Sequence, residues 1–221
     1  MKGLVSVNLK GLLHRQGGIL MYKVIKRIGD FSLSLIGLIV LSPVMLITAV
    51  LIKVESKGPV IFKQERLGYK GKIYKIYKFR SMCEGAEKGG VYETKGDVRV
   101  TKVGKIIRKT SIDELPQFVN ILKGEMSIIG PRPALTYHPW TLDKYTDEQK
   151  KMFDVKPGVT GWAQVNGRKE VEWPLRIKLN VEYVENLSFK WDLKIFFKTI
   201  FKVLAMKDNL NVSETAKTKS E

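Results

Sequence analysis

Two adjacent carboxylates, Asp113 and Glu114, are the residues of this sequence best suited to chemistry. They lie in "SIDEL", where Ser111 and Glu114 have the spacing of a capping box, so a structural explanation at the start of a helix exists. The same position keeps a carboxylate ionised, and an ionised carboxylate can act as a nucleophile or as an oxygen ligand for Mg²⁺. The residues alone leave capping and chemistry open.

Basic residues surround this carboxylate pair along the chain. Five of them stand between positions 99 and 109, and Arg132 follows between Pro131 and Pro133. Prolines stiffen the backbone around Arg132, and its guanidinium has the two-pronged donor geometry that suits phosphate. Carboxylates among cations fit phosphoryl transfer, in which cations neutralise the charge of the transferred group. An exposed arginine in a rigid turn is the structural alternative.

One uncharged stretch, residues 31–52, is long enough to cross a bilayer. Twenty-two helical residues rise about 33 Å, against about 30 Å of hydrocarbon. Pro43 lies near its middle, where it removes one backbone hydrogen bond and costs about 3 kcal/mol, and the Ser42 hydroxyl is a candidate partner for the freed carbonyl. The stretch is too long for a signal peptide, and no small-residue cleavage site closes it.

Positive charge brackets this stretch on both sides. Residues 1–29 contain six Lys or Arg and no acid, and residues 53–80 contain nine basic residues and two acids. Because cytoplasmic flanks collect lysine and arginine, a hairpin that turns at Ser42 and Pro43 accounts for both clusters. A kinked spanning helix also tolerates proline, so the residues alone leave both topologies open.

The net charge of +17, from 39 basic and 22 acidic residues, favours an anionic partner. The single cysteine, Cys83, excludes an intramolecular disulfide framework, and the two histidines do not predict a zinc site. A nucleic-acid binder is suggested by the alternating "KIYKIYKF" but has no need of the uncharged stretch. We therefore expect no nucleic-acid partner.

Local patterns predict an α+β, mostly helical fold. "SKGPVIFKQE" and "KIYKIYKFRSM" predict two strands around the turn "RLGYKG". Short helices are expected over residues 99–109 and 146–153, and a longer one with capping signals over "TSIDELPQFVNILKGEMS". "IGPRPAL" predicts extended chain, "VKPGVTGWAQVNGR" a glycine-rich loop, residues 84–97 a surface loop and residues 170–206 largely helix.

Three lysines, Lys194, Lys198 and Lys202, recur every four residues in the last predicted helix, among apolar residues. This pattern is typical of an amphipathic helix in a membrane interface, or of a core helix with a solvated lysine stripe. Residues 1–21 form a basic N-terminal extension, and residues 207–221 are predicted to be a disordered tail.

In this order, the motifs resemble the bacterial sugar transferase family, the monotopic phosphoglycosyl transferases. The resemblance covers roughly residues 22–204 and is carried by the Ser-Pro in the membrane helix, "YKFRSM", "SIDELPQFVNILKGEMSIIGPRP" and "KPGVTGWAQVNGR". It implies a re-entrant membrane helix over residues 22–57, a helix-break-helix turning at Ser42 and Pro43. It also implies a small β-hairpin and a cytosolic, membrane-associated catalytic domain over residues 58–206 with interfacial amphipathic helices.

The resemblance implies transfer of a sugar 1-phosphate from a UDP-sugar to polyprenyl (undecaprenyl) phosphate, with release of UMP and Mg²⁺ as cofactor. An aspartate attacks the β-phosphate, and the lipid phosphate then attacks the phosphosugar-enzyme, which starts the assembly of a capsule, exopolysaccharide or other glycan. The chain looks like the minimal form of the family, which favours an N-acetylated hexosamine or bacillosamine-type donor. Galactose or glucose, and a non-catalytic membrane scaffold, are the alternatives.

Carried over residue by residue, the resemblance implies that Asp113 is the nucleophile and that Glu114 completes the dyad, where it either helps to place the metal or accepts a proton. The implied metal ligands are Asp113 and Glu114. The resemblance implies that phosphate is bound by Arg108, Arg132, Lys78 and Arg80. It also implies a loop that shapes the nucleotide or sugar site, with Trp162, Gln164, Asn166 and Arg168. The implied location is the cytoplasmic face of the bacterial inner membrane, with its lipids as partners. A homodimer stays one option.

Overall fold

One long helix, α1 (Lys2–Glu55), begins the chain. The computed structural model describes residues 2–90, 97–167 and 172–204, so the predicted tail at 207–221 lies outside the described residues. The extension predicted for residues 1–21 is helical from Lys2 and continuous with the membrane segment. The part Gly17–Glu55 is long and apolar enough to cross a membrane. Most of its large apolar side chains are exposed.

Pro43 lies inside α1 without interrupting it. Helical geometry runs through both Ser42 and Pro43, so a turn of the chain at these residues would take the form of a bend within one helix and not a gap between two helices. The predicted turn itself stays a prediction. The Ser42 hydroxyl donates to the carbonyl of Ile39 at 2.7 Å. That carbonyl is the one that proline deprives of its amide donor four residues later, so the predicted role of Ser42 is confirmed.

The predicted hairpin is confirmed as β1 (Ile61–Leu67) and β2 (Ile73–Phe79). The strands are antiparallel, with Ile61 opposite Phe79 and Leu67 opposite Ile73. A single 3-10 turn, Tyr69–Gly71, joins them. The register places Leu67, Tyr74, Ile76 and Phe79 in the interior.

Two short helices, α2 (Lys102–Lys109) and α3 (Gln117–Lys123), flank the carboxylate pair. The helix predicted over residues 99–109 is confirmed, but the one predicted to begin with a capping box is wrong at its start. Residues Ile112–Glu114 form a separate 3-10 turn, and the Ser111 side chain makes no capping hydrogen bond. Ser111 instead has a left-handed backbone, with φ of 60°.

A second small sheet pairs β3 (Ser127–Ile129) with β4 (Gly158–Thr160) in parallel. A four-residue helix, α5 (Trp162–Val165), follows it. The loop predicted over residues 155–168 is therefore wrong for these two elements. Their glycines allow backbone to pack against backbone, since a Cβ on Gly158 would lie 2.1 Å from the amide nitrogen of Gly130.

The remaining elements are helical, as predicted. Helix α4 (Asp147–Lys150) continues into a 3-10 turn, and α6 (Trp173–Glu185) and α7 (Phe189–Leu204) close the described chain. Residues 91–96 of the predicted surface loop lie outside the described residues. Buried clusters around Tyr145 and Tyr183 fix α6 against the sheets.

The N-terminal flank of the membrane segment is fastened to the domain by polar contacts. Tyr22 and Lys26 both donate to the buried carboxylate of Asp192 on α7, each at 2.6 Å. Arg27 donates to the carbonyls of Ile121 and Leu122 in the last turn of α3, at 2.6 and 3.0 Å. A cation at this position satisfies carbonyls that the helix itself leaves unpaired.

The C-terminal flank is fastened to another part of the same domain. Ile52 is 2% exposed and packs with Phe79 and Ile107. The carboxylate of Glu55 accepts hydrogen bonds from the amides of Lys102 and Val103 at 2.7 and 3.0 Å, so α1 caps the start of α2. The domain therefore contacts α1 on both sides of Pro43.

Candidate active site

A cavity of 690 Å³ lies between the hairpin, the turn that carries Asp113 and the β4–α5 segment. This volume is typical of small-molecule sites. Charged side chains line one part of it, and mostly neutral side chains from β4, α5, α6 and α7 line another. The charged lining comprises Arg66, Lys78, Arg80, Glu84, Arg108, Asp113, Glu114, Arg132 and, on α6, Arg176.

Asp113 is held in the cavity wall by a strained turn. The left-handed backbone of Ser111, two residues earlier, is costly for a non-glycine residue, and such strain concentrates at functional sites. Among the described residues, no side chain donates a hydrogen bond to the Asp113 carboxylate. Burial raises the pKa of Asp113, and the neighbouring Lys78 opposes this effect. The carboxylate oxygens are thus available to a ligand.

Glu114 has different surroundings from its neighbour. Its Oε1 accepts a hydrogen bond from Lys78 Nζ at 2.6 Å, and Arg132 Nη1 lies 3.6 Å from the same oxygen. Lys78 and Arg132 therefore help to neutralise Glu114. As far as the described residues show, Asp113 is the carboxylate of the pair whose oxygens accept no side-chain hydrogen bond, and Glu114 is the one that orients cations.

Arg108 reaches the cavity from the last turn of α2. Its Nε donates to the Ser81 hydroxyl at 2.7 Å. Helix α2 packs closely against the chain that follows β2, since a Cβ on Gly104 would lie 2.0 Å from the Ser81 carbonyl oxygen. The structure thus brings Arg108, Lys78 and Arg132 around the two carboxylates, as the sequence predicts.

Arg80 also lines the cavity, but its guanidinium serves the end of α1. It donates to the carbonyl of Lys57, and to the carbonyl and hydroxyl oxygens of Ser56 at 2.9 Å each. Its exposed fraction is 7%. These contacts hold the chain that leaves the membrane segment against β2.

The backbone of Arg132 is fixed on both sides by the second sheet and by β1. The Gly158 amide donates to the Pro131 carbonyl at 2.9 Å, and the Leu67 amide donates to the Ala134 carbonyl at 2.9 Å. Pro133 follows Arg132 and has its carbonyl bound by Arg66 Nη1 at 3.0 Å. The predicted stiffness of this segment is therefore supplemented by hydrogen bonds from distant chain.

Arg66 is a site residue that the sequence analysis did not single out. It lies in β1, and its Nη2 donates to Gln64 at 2.6 Å. Burial and the neighbouring Arg132 lower the pKa of Arg66 to about 10, so it stays charged at neutral pH. Strand β1 has the sequence IFKQERL, with other charged residues beside Arg66, so no signal in the sequence set this arginine apart. Its charge adds to the cationic lining that includes Arg132.

The glycine-rich motif sends one of its predicted residues into the cavity. Gln164 lines it, whereas the indole of Trp162 is buried and donates to Glu182 at 3.0 Å. Asn166 donates to the Trp162 carbonyl at 2.8 Å and accepts from Lys198. Asn166 therefore stabilises the end of α5, and the Trp162 indole links α5 to α6. Arg168 lies outside the described residues.

The oxygen atoms of Asp113 and Glu114 are of the type that a magnesium ion takes as ligands. The described residues contain no group of three or more acidic, histidine or cysteine side chains placed to hold a metal. Asp113 and Glu114 therefore offer two carboxylates at most. Mg²⁺ characteristically takes one or two protein carboxylates and fills its octahedron with water and phosphate oxygens.

Several known proteins are similar in sequence to this chain. A family model described as bacterial sugar transferase matches residues 21–206. The Bacillus subtilis (strain 168) sugar transferase EpsL is 44% identical over 182 residues, which are 82% of this chain and 88% of EpsL.

Two longer relatives have names that state a reaction. The UDP-N-acetylgalactosamine-undecaprenyl-phosphate N-acetylgalactosaminephosphotransferase of Aeromonas hydrophila is 46% identical over 187 residues, 83% of this chain and 44% of that protein. The UDP-glucose:undecaprenyl-phosphate glucose-1-phosphate transferase of Escherichia coli (strain K12) is 43% identical over 186 residues, 81% and 40%. The chain thus spans less than half the length of these two. With the family model covering most of its residues, the chain belongs to the bacterial sugar transferase family.

Proposed function

We propose that this protein transfers a sugar 1-phosphate from a UDP-sugar to undecaprenyl phosphate through a covalent phosphosugar intermediate on Asp113. The observation that carries the proposal is one uncommitted carboxylate among cations. Asp113 has no side-chain donor among the described residues, while Lys78, Arg108 and Arg132 stand around the pair. The names of the two longer relatives support the reaction.

In the first step, an Asp113 oxygen attacks the β-phosphorus of the UDP-sugar. The bond between the β-phosphorus and the bridging oxygen breaks, and UMP leaves with that oxygen. In the second step, an oxygen of the lipid phosphate attacks the same phosphorus and the bond to Asp113 breaks, which restores the carboxylate. Lys78, Arg108 and Arg132 neutralise the phosphates in both steps. Mg²⁺, held by Asp113 and Glu114, would supply further neutralisation when bound.

The donor sugar is proposed to be an N-acetylated hexosamine or bacillosamine type. The Aeromonas relative, named for N-acetylgalactosamine, supports an acetamido donor. Glucose is the alternative that the Escherichia relative supports. Galactose 1-phosphate transfer is a further alternative.

The membrane segment is proposed to enter and leave the cytoplasmic face of the bacterial inner membrane. Contacts on both sides of Pro43 support this, since Lys26 binds α7 and Glu55 caps α2. A spanning segment would carry its two flanks to opposite faces of the bilayer, where one folded domain could not hold both. The basic flanks agree with a cytoplasmic location for each.

Helix α7 is proposed to lie in the membrane interface beside α1. Its aromatic residues Phe196 and Phe197 are 43% and 51% exposed. Lys194 and Lys198 lie over the Trp162 ring at 5.0 and 4.9 Å, so the lysine stripe borders the exposed apolar face. An exposed apolar face with flanking lysines is typical of interfacial helices.

The test is UMP release by the detergent-solubilised full chain with undecaprenyl phosphate, Mg²⁺ and a panel of UDP-sugars. Release with one donor is expected, and Asp113→Asn should abolish it while Asp147→Asn, at an exposed position, should not. Substantial turnover by Asp113→Asn would remove Asp113 as the nucleophile. No release by folded wild-type protein with any donor would favour the membrane scaffold.

A further inference from the structure

The neutral part of the cavity contains two buried hydrogen-bond acceptors without donors. Asn180 on α6 is 2% exposed, and its side-chain oxygen has no donor within reach in the described part of the chain. The side-chain oxygen of Gln164 is buried in the same way, and both residues line the cavity. An unpaired buried acceptor costs free energy that a ligand's O–H or N–H group can restore.

The protein holds both acceptors in place. The Gln164 amide nitrogen donates to the Val159 carbonyl at 3.2 Å, which turns the side-chain oxygen away from that strand. A Cβ on Gly161 would lie 2.8 Å from this oxygen, so glycine leaves room for it. Asn180 is carried by α6, which packs directly on α5.

The neighbouring hydroxyls extend the accepting surface. The Thr199 hydroxyl donates to the Ile195 carbonyl at 2.8 Å, and so the Thr160 hydroxyl, 2.8 Å away, donates to Thr199. The Thr160 proton is thus used within the protein, while its lone pairs remain available. Thr160 and the small Ala163 line the same part of the cavity. These acceptors favour a ligand group that brings hydrogen-bond donors, and Arg176, one turn before Asn180 on α6, adds a cation to the same lining.

We infer that Asn180 and Gln164 form the subsite that recognises a neutral, donor-bearing ring of the nucleotide-sugar. This inference rests on the proposed function. It adds Asn180 on α6, which the quoted family motifs do not include, to Gln164, which the resemblance already implies. The hexose offers hydroxyls and, in an acetamido sugar, an N–H group, and the uracil offers one N–H group. Hydrogen bonding to the side-chain oxygens is the chemistry that the two rings share.

The test measures donor preference and nucleotide affinity separately in the full chain. Asn180→Ala and Gln164→Ala are compared with wild type for kcat/KM with UDP-N-acetylglucosamine, UDP-N-acetylgalactosamine, UDP-glucose and UDP-galactose. The affinities for UMP and for each UDP-sugar are measured by calorimetry. The matched control is Asn120→Ala, since Asn120 is 0% exposed, lies outside the cavity lining and bonds Lys75 and Glu125. Thermal melting verifies that each variant folds.

If the hexose binds here, each variant should lose about tenfold in kcat/KM for the preferred donor, less for the others, with UMP affinity unchanged. If uracil binds here, UMP affinity should fall by a similar factor and all donors equally. Unchanged preference and unchanged affinities in the folded variants, or the same changes in Asn120→Ala, would overturn the inference. Wild-type protein that binds UDP-sugars without releasing UMP would count against the proposed reaction instead, and the affinities would still test the subsite.

Discussion

Asp113 and Glu114 are neighbours in the chain whose electrostatic surroundings differ. Lys78 binds Glu114 directly at 2.6 Å and acts on Asp113 through its charge, where it opposes the effect of burial on the pKa. A nucleophilic carboxylate must be ionised, so Lys78 has a function at Asp113 that needs no hydrogen bond to it. The sequence predicts that the two carboxylates act together, but it does not predict which of them is held by a lysine. That difference depends on where the Lys78 side chain on β2 points.

Replacement of Lys78 should therefore change the pH dependence of the reaction. In Lys78→Met the pKa of Asp113 rises further, so the acid limb of the kcat/KM profile should move to higher pH. Loss of a phosphate-neutralising cation should also lower kcat/KM on the order of a hundredfold. Lys75→Met, at an exposed position of the same strand, is the control. An unshifted acid limb would show that Lys78 does not act on Asp113.

Asp113 should also reduce the stability of the folded protein. Burial raises its pKa, so between the unfolded and folded values the folded protein binds more protons than the unfolded chain. The contribution of this group to stability is therefore lost as pH rises through the folded value. Asp113→Asn should melt at a higher temperature than wild type near pH 7.5, and the difference should shrink towards pH of about 4. A pH-independent difference would contradict this prediction.

At the scale of elements, the sequence predicts what local patterns specify and misses what distant chain imposes. The β1–β2 hairpin was predicted from β-branched and aromatic residues on either side of a turn with two glycines, and α2 from apolar residues among basic ones. Local chemistry also favours α2 at its start, where the Thr101 hydroxyl accepts from the Gly104 amide at 2.9 Å. The β3–β4 pair was missed because three-residue strands have no readable period. The capping box at Ser111 did not form, because a left-handed residue separates α2 from the 3-10 turn.

The Ser-Pro element is the one whose function depends on the membrane. In α1, the Ser42 hydroxyl satisfies the Ile39 carbonyl, so proline is accommodated inside a continuous helix. Replacing Ser42 and Pro43 with alanine should restore the regular hydrogen bond and favour a straight helix. In a Cys83→Ser background, a cysteine introduced at Gly17 should then become accessible from the periplasm in part of the population.

The single variant Ser42→Ala keeps the proline and serves as the control for this topology experiment. It should lose the bond to the Ile39 carbonyl without straightening the helix, so labelling at position 17 should stay cytoplasmic. The same labelling pattern in the double variant and in wild type would show that Ser42 and Pro43 do not set the topology.

At the scale of the whole molecule, the active site is fixed to the membrane segment by paired contacts. The buried Asp192 carboxylate joins Tyr22 and Lys26 of α1 to Tyr183 of α6, whose hydroxyl donates to it at 2.7 Å. Burial raises the pKa of the Tyr183 hydroxyl well above its usual value, so this group remains a donor at neutral pH. The cavity is therefore held at a set position relative to α1. Under the proposed function, this would fix the cavity relative to the phosphate of the lipid acceptor.

This arrangement predicts that α7 meets the bilayer together with α1. In a Cys83→Ser background, a fluorophore on Phe197→Cys should be quenched several-fold more by brominated lipids than one on Asp147→Cys. Phe197 is 51% exposed on an apolar face, whereas the Asp147 side chain is fully exposed beside other charged residues. Moving an apolar ring of this size out of water lowers the free energy, whereas moving a carboxylate out of water raises it. Equal, weak quenching at both positions would place α7 in water, with α1 alone in contact with lipid.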